Sequence, residues 1–106
     1  MKIVYTYRAS QDLRDIYEYI AYTLLSPEVA RGMAERIMDA IRSLASLPER
    51  NPLYREEPWH SQGVRLIPVG NYLVFYAVNT KSGAVTILRV LYAGRDISRQ
   101  LEDKAD

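Results

Sequence analysis

Residues 64–78 read VRLIPVGNYLVFYAV. In the first seven, Arg65, Ile67 and Val69 fall opposite Val64 and Leu66, the period of two that belongs to a strand. Pro68 cannot donate to a ladder, so this strand is expected at an edge or at a bulge. Tyr72 to Val78 is apolar on both faces, which suits a central strand with helices on one side. Gly70-Asn71 is short enough to be a hairpin turn. The "NTKSG" turn then leads into the longest strand, residues 84–93, so three strands should form an antiparallel meander.

Upstream the period is different. Residues 2–8, KIVYTYR, alternate as a short strand with Ile3, Tyr5 and Tyr7 on one side. Ser10 stands where an N-cap belongs, with Asp12 in the first helical turn. Leu13, Ile16, Tyr17, Ile20, Ala21 and Leu24 then recur at helical steps. Ser26, Pro27 and Glu28 open a second helix with a stripe through Ala30, Met33, Ala34, Ile37, Ile41 and Leu44, ended by Pro48. Two helices so close in sequence turn back as a hairpin. The prediction is one α+β domain over 1–106, ordered β-α-α-β-β-β, with a helical hairpin packed on a mainly antiparallel sheet. Residues 48–63, with three prolines and no sustained period, read as a loop, and 97–106 as a C-terminal segment.

A chain of 106 residues suits one domain whose core needs no staples, and with 48% hydrophobic and 25% charged residues it falls in the globular range. It has no cysteine, which removes thiol chemistry and fits a reducing compartment. The opening MKIVYTYRAS has no apolar secretion core, and no run is long enough for a membrane span, so a cytoplasmic location is expected. Charge is uneven. Residues 1–57 hold eight Lys/Arg against nine Asp/Glu, while 58–101 hold Arg65, Lys81, Arg89, Arg95 and Arg99 against Asp96. The basic C-terminal half suggests an acidic partner, nucleic acid or protein.

Familiar catalytic patterns are missing: there is no phosphate-binding glycine loop and no metal-spaced His/Cys cluster, so neither cofactor nor metal is expected. The single histidine, His60, sits beside Trp59 in the proline-rich loop, where a general base would be hard to hold. Trp59 reads as a lid over the core. Arg89 stands in an apolar row with Val85, Ile87 and Leu91, so it must reach water, meet a carboxylate or line a concave site. Continued alternation would return Arg95 to the same side, and Arg65 could join in a suitable register. Such guanidinium groups would receive phosphate or carboxylate. Asp96 either joins that surface or caps a turn through Ile97 to Leu101.

The element order, DLRDIYEYI on the first helix, SPEVA opening the second, VRLIPVGNYLVFYAV and ILRVLYAGRD together resemble the RelE/ParE superfamily of bacterial toxins from toxin–antitoxin pairs. The likeness is greatest to the ParE branch, whose strand pair typically reads Arg-x-Phe-Pro-Val-Gly-x-Tyr-x-x-Phe-Tyr and closes with Leu-His-Gly-Ala-Arg-Asp. Here Tyr92 replaces the histidine, and Ala93-Gly94 inverts the Gly-Ala.

The resemblance implies a toxin that binds and poisons DNA gyrase, with Arg65, Arg89, Tyr92, Arg95 and Asp96 facing the target. It also implies a ParD-like antitoxin whose disordered tail folds over the hairpin and sheet, near Tyr17, Tyr22 and Leu25. Operator DNA would be reached only through that antitoxin, and no membrane is involved. The alternative is a ribosome-dependent mRNA endoribonuclease of the RelE type, with Arg65, Arg89, Tyr92 and Arg95 as a rearranged catalytic site. The RelE pattern places an arginine after the strand-three tyrosine and a tyrosine beyond the last strand. This chain has Leu73 and, near the second position, Leu101, so only Arg95 matches. A third reading is a non-toxic protein-binding domain in which the arginines brace the sheet.

Overall fold

The computed structural model describes residues 1–94 and 96–102. The chain runs β1 (Lys2–Tyr5), α1 (Tyr7–Glu18) prolonged by a π-helical turn (Tyr19–Thr23), α2 (Pro27–Ser43), β2 (Arg65–Val69), β3 (Tyr72–Asn79), β4 (Ala84–Tyr92) and α3 (Ile97–Glu102). The sheet order is β1-β4-β3-β2, with β1 parallel to β4 and the other pairs antiparallel. The α+β fold and the meander are those predicted, and Pro68 lies in an edge strand opposite Leu73.

The first helix begins earlier than the Ser10 cap would set it. Thr6 is the cap: its Oγ1 accepts the Ala9 N–H at 2.9 Å and donates to the Leu88 carbonyl at 2.9 Å. A hydroxyl that closes a helix end and a strand carbonyl together overrides the alternation through Tyr7, which ends on α1 and is 78% exposed. Pro27 opens α2 as expected, but the Ser26 hydroxyl makes no cap and donates back to the Leu24 carbonyl at 3.2 Å.

Both faces of the sheet are covered, which explains the doubly apolar β3. On one face Val74, Tyr76, Val85, Ile87 and Val90 pack with Ala9 of α1 and Ile37, Ile41 and Leu44 of the α2 end. On the other, Phe75 and Leu91 pack with Trp59 and Val64, joined by Tyr54, Leu73, Leu88 and the α3 residues Ile97 and Leu101. Residues 48–63 therefore form a strap over the second face. Its backbone is fixed by Tyr54 N–H to the Val64 carbonyl (2.8 Å) and Val64 N–H to the Trp59 carbonyl (3.0 Å). Trp59 is buried as the lid expected, and Tyr54 meets Phe75 edge to face at 5.3 Å. The Tyr76 hydroxyl anchors the start of the strap, donating to the Pro48 carbonyl at 2.6 Å and accepting from Asn51 at 3.1 Å.

β4 carries an irregularity with no sequence signal. Phe75 pairs with Arg89 but Tyr76 with Ile87, leaving Leu88 without a partner. This bulge reverses the alternation, so Val90 joins Val85 and Ile87 in the helix-side core and Leu91 turns to the strap side with Leu88. β1 pairs only as far as Ile87. Beyond it α1 completes the edge: Thr6 takes the Leu88 carbonyl, and Asp12 Oδ2 accepts the Val90 N–H at 3.0 Å. The same carboxylate holds Arg89, with Nε to Oδ2 at 2.7 Å and Nη2 to Oδ1 at 3.0 Å. The two side chains are 12% and 11% exposed.

Removing one partner of a buried pair strands the other charge at a cost of about 3–5 kcal/mol, whereas removing both costs less. Asp12→Ala is therefore expected to lower the urea midpoint sharply, and Asp12→Ala/Arg89→Met to regain part of the loss. Burial holds the Tyr76 phenol above its ordinary value, against the opposing Asn51 hydrogen bond and Arg65 charge. The folded state binds that proton more tightly than the unfolded, so this stability is whole below about pH 10 and is lost as pH rises through the folded value. Tyr76→Phe should cost about 1–2 kcal/mol at neutral pH and show a shallower alkaline decline in denaturant titrations.

Candidate functional site

The arginine cluster expected on one sheet face is not assembled among the described residues. Arg65 pairs across the ladder with Tyr76, on the helix side, and Arg89 with Phe75, on the strap side. The bulge at Leu88 is the reason, since unbroken alternation would have kept Arg89 with Ile87. Both guanidinium groups are also engaged within the chain. Arg65 Nη1 donates to the Glu49 and Asn51 carbonyls at 3.1 and 2.6 Å. Arg89 grips Asp12 and sends Nη1 to the Gln100 carbonyl of α3 at 2.9 Å.

The last strand stops at Tyr92, and Ala93-Gly94 forms a turn rather than the extended segment expected. Arg95 itself lies outside the described residues, as do residues 103–106 of the C-terminal segment. Asp96 is exposed and caps α3, its carboxylate accepting the Arg99 N–H at 3.3 Å. His60 stands 3.7 Å from Glu57 on the exposed side of the strap.

What the strand ends do bring together is tyrosine. Tyr92 is 48% exposed, and its ring meets that of Tyr72, its partner across β3 and β4, edge to face at 5.9 Å. Burial raises the Tyr72 phenol above its ordinary value, and the neighbouring phenols of Tyr92 and Tyr19 raise it further. Tyr19, from the π turn, is half exposed and completes the group. Sequence reading picked out Tyr92 but not the other two. The available signal was Tyr19 itself, a large aromatic off the apolar stripe of its helix.

The hairpin residues divide. Tyr17 turns inward against Ile20, Ala21 and Ala30, and lines an apolar hollow of about 70 Å³ between α1 and α2, with Leu13, Ile16, Ala34 and Met38. Tyr22 and Leu25 point to solvent, 70% and 81% exposed, beside exposed Leu24 and Val29. The turn itself is wide: Leu24 N–H bonds the Tyr19 carbonyl and Ser26 N–H the Ile20 carbonyl, each at 3.0 Å. That path puts Leu25 at φ 54°, a left-handed conformation that a side chain with a Cβ resists. Among the described residues no His, Cys, Asp or Glu group could hold a metal ion, and no helix is long and apolar enough to cross a membrane.

The model of the ParE toxin family, of type II parDE toxin–antitoxin systems, matches residues 3–97. Toxin RelE2 of Caulobacter vibrioides is 37% identical over 98 residues, which span 89% of this chain and 97% of that protein. Of the solved structures, the chromosomal ParDE system of P. aeruginosa superimposes with a TM-score of 0.70 at 23% identity, over 87% of this chain and 95% of that one. The isolated E. coli RelE toxin gives 0.61 at 17% identity, over 93% and 90%. At those identities the two structures show a shared fold.

Because the Leu25 side chain buries little within the chain, Leu25→Gly should relieve the left-handed backbone at small cost in packing. The variant is expected to gain roughly 0.5–1 kcal/mol, read as a rise in thermal midpoint.

Proposed function

This chain belongs to the RelE/ParE superfamily of type II toxin–antitoxin toxins, and from that premise we propose that it is a ParE-like toxin that binds and poisons DNA gyrase. The observation that carries the reading is the internal engagement of Arg65 and Arg89 on opposite sides of the sheet. Cleavage by a ribose 2′-hydroxyl needs a proton acceptor, cations on the crowded phosphate and an acid for the leaving oxygen. Two of the cations offered for that task hold the fold instead. Leu73 and Leu101, where the RelE pattern has an arginine and a tyrosine, pack in the strap-side core. A binder needs exposed anchors, and Tyr92 with Tyr19 supplies them. Target contact is assigned to Tyr92 and, from the resemblance, to Arg95; Asp96 holds the start of α3.

The regulating partner in this reading is a ParD-like antitoxin, as in the P. aeruginosa ParDE system. Its disordered tail would gain most from the exposed Tyr22 and Leu25, with the apolar hollow lined by Tyr17 alongside. A left-handed leucine with its side chain in solvent fits a residue kept for contact rather than for folding. Operator DNA is reached through the antitoxin.

The test sets a gyrase supercoiling assay beside primer extension on cellular transcripts after induction. Inhibited supercoiling with intact transcripts is expected, and Arg95→Ala should weaken the inhibition. Cut transcripts with normal supercoiling would transfer the assignment to a RelE-type endoribonuclease. An absence of growth arrest at confirmed expression would leave the binding-domain reading.

A further inference from the structure

We infer that Gly94 and Tyr72 are positioning residues for Tyr92, and that Tyr92 and Gly94 form a matched pair in which the larger ring requires the bare glycine two residues on. The inference rests on Tyr92 being a target contact. Chains of the ParE pattern read Leu-His-Gly-Ala-Arg-Asp at this point, whereas this one reads Leu91-Tyr92-Ala93-Gly94-Arg95-Asp96. In this chain the tyrosine and the glycine meet in space.

Gly94 is not a glycine of conformation. The left-handed glycines are Gly63, Gly70 and Gly83, while Gly94 has a backbone open to any residue. It is a glycine of space. A Cβ at position 94 would lie 2.6 Å from Tyr92 Cε2 and 3.2 Å from Cζ, well inside contact distance. The ring therefore lies across the α-carbon of Gly94. Tyr72 meets the Tyr92 ring edge to face, and Ala93 N–H donates to the Asn71 carbonyl at 2.8 Å, so the turn is fixed as well. Tyr92 remains 48% exposed. An aromatic side chain held in one orientation before binding loses little freedom on contact, which is what makes it an effective anchor.

The test uses the full chain with selectively labelled tyrosine. In Gly94→Ala the partly exposed ring must swing away, so the Tyr72 ring protons should change shift while the thermal midpoint stays close to wild type. Gyrase inhibition should fall roughly tenfold or more, the scale of losing an aromatic anchor. Tyr72→Leu should act in the same direction, and Tyr72→Phe, which keeps the edge-to-face ring, should retain wild-type inhibition. Gly94→Ala added to Tyr92→Ala should cost nothing further, because the ring that meets the new Cβ is gone. Unchanged Tyr72 shifts in Gly94→Ala, or additive losses in the double variant, would overturn the positioning role. Moved shifts with unaltered inhibition would remove Tyr92 from the target surface and the inference with it. If the wild-type chain does not inhibit gyrase, the gyrase reading fails on its own, and the Tyr72 shifts with growth arrest as the readout still decide the positioning.

Discussion

A single carboxylate organises one end of the sheet. Asp12 reaches from α1 to the stretch of β4 that β1 leaves unpaired, accepts the Val90 N–H and closes on Arg89, whose remaining nitrogen bonds the Gln100 carbonyl. Helix, central strand and C-terminal helix are thereby tied through one group. Attraction between two nearly buried charges is largely offset by what they lose in leaving water. The contribution of the pair is directional: it sets how α1 crosses β4 and where α3 lies, and so the path by which the chain leaves the sheet after Tyr92.

Two features of the sheet edge make that carboxylate necessary. β1 is four residues long, and the bulge at Leu88 changes the facing of every residue after it. Without side-chain acceptors and donors the second half of β4 would present free backbone groups, an open template for other strands. Thr6 and Asp12 close that edge from the helix. With the hairpin on one face and the strap on the other, exposed tyrosines stand at the helical tip and at the end of the sheet.

The meander was legible because period-two alternation and short turns are local signals: Gly70-Asn71, the Gly83 turn and Pro68 at an edge each follow from backbone chemistry. The helix start was not, since Thr6 outranks Ser10 only through the Leu88 carbonyl, a partner 82 residues away. The bulge had neither glycine nor proline to mark it, and so Arg89 was placed on the wrong face. The strap was hidden by its prolines, although Tyr54 and Trp59 within it were candidates for a second core. Arginines converging across strands needed a register that sequence does not carry. Tyr92 was legible as a departure from a pattern, whereas its neighbours depended on tertiary packing.

The parallel ladder between the first strand and the last has a consequence for biosynthesis. Lys2 to Tyr5 can find their partners only when residues 84–87 have been made, so the earliest-synthesised strand waits for nearly the whole chain. High contact order of this kind defers completion of the sheet to the end of translation. A nascent polypeptide cut short before β4 has no central strand for Asp12 to grip and no platform for its aromatic end. An incomplete copy is thus left without the sheet on which the fold is built.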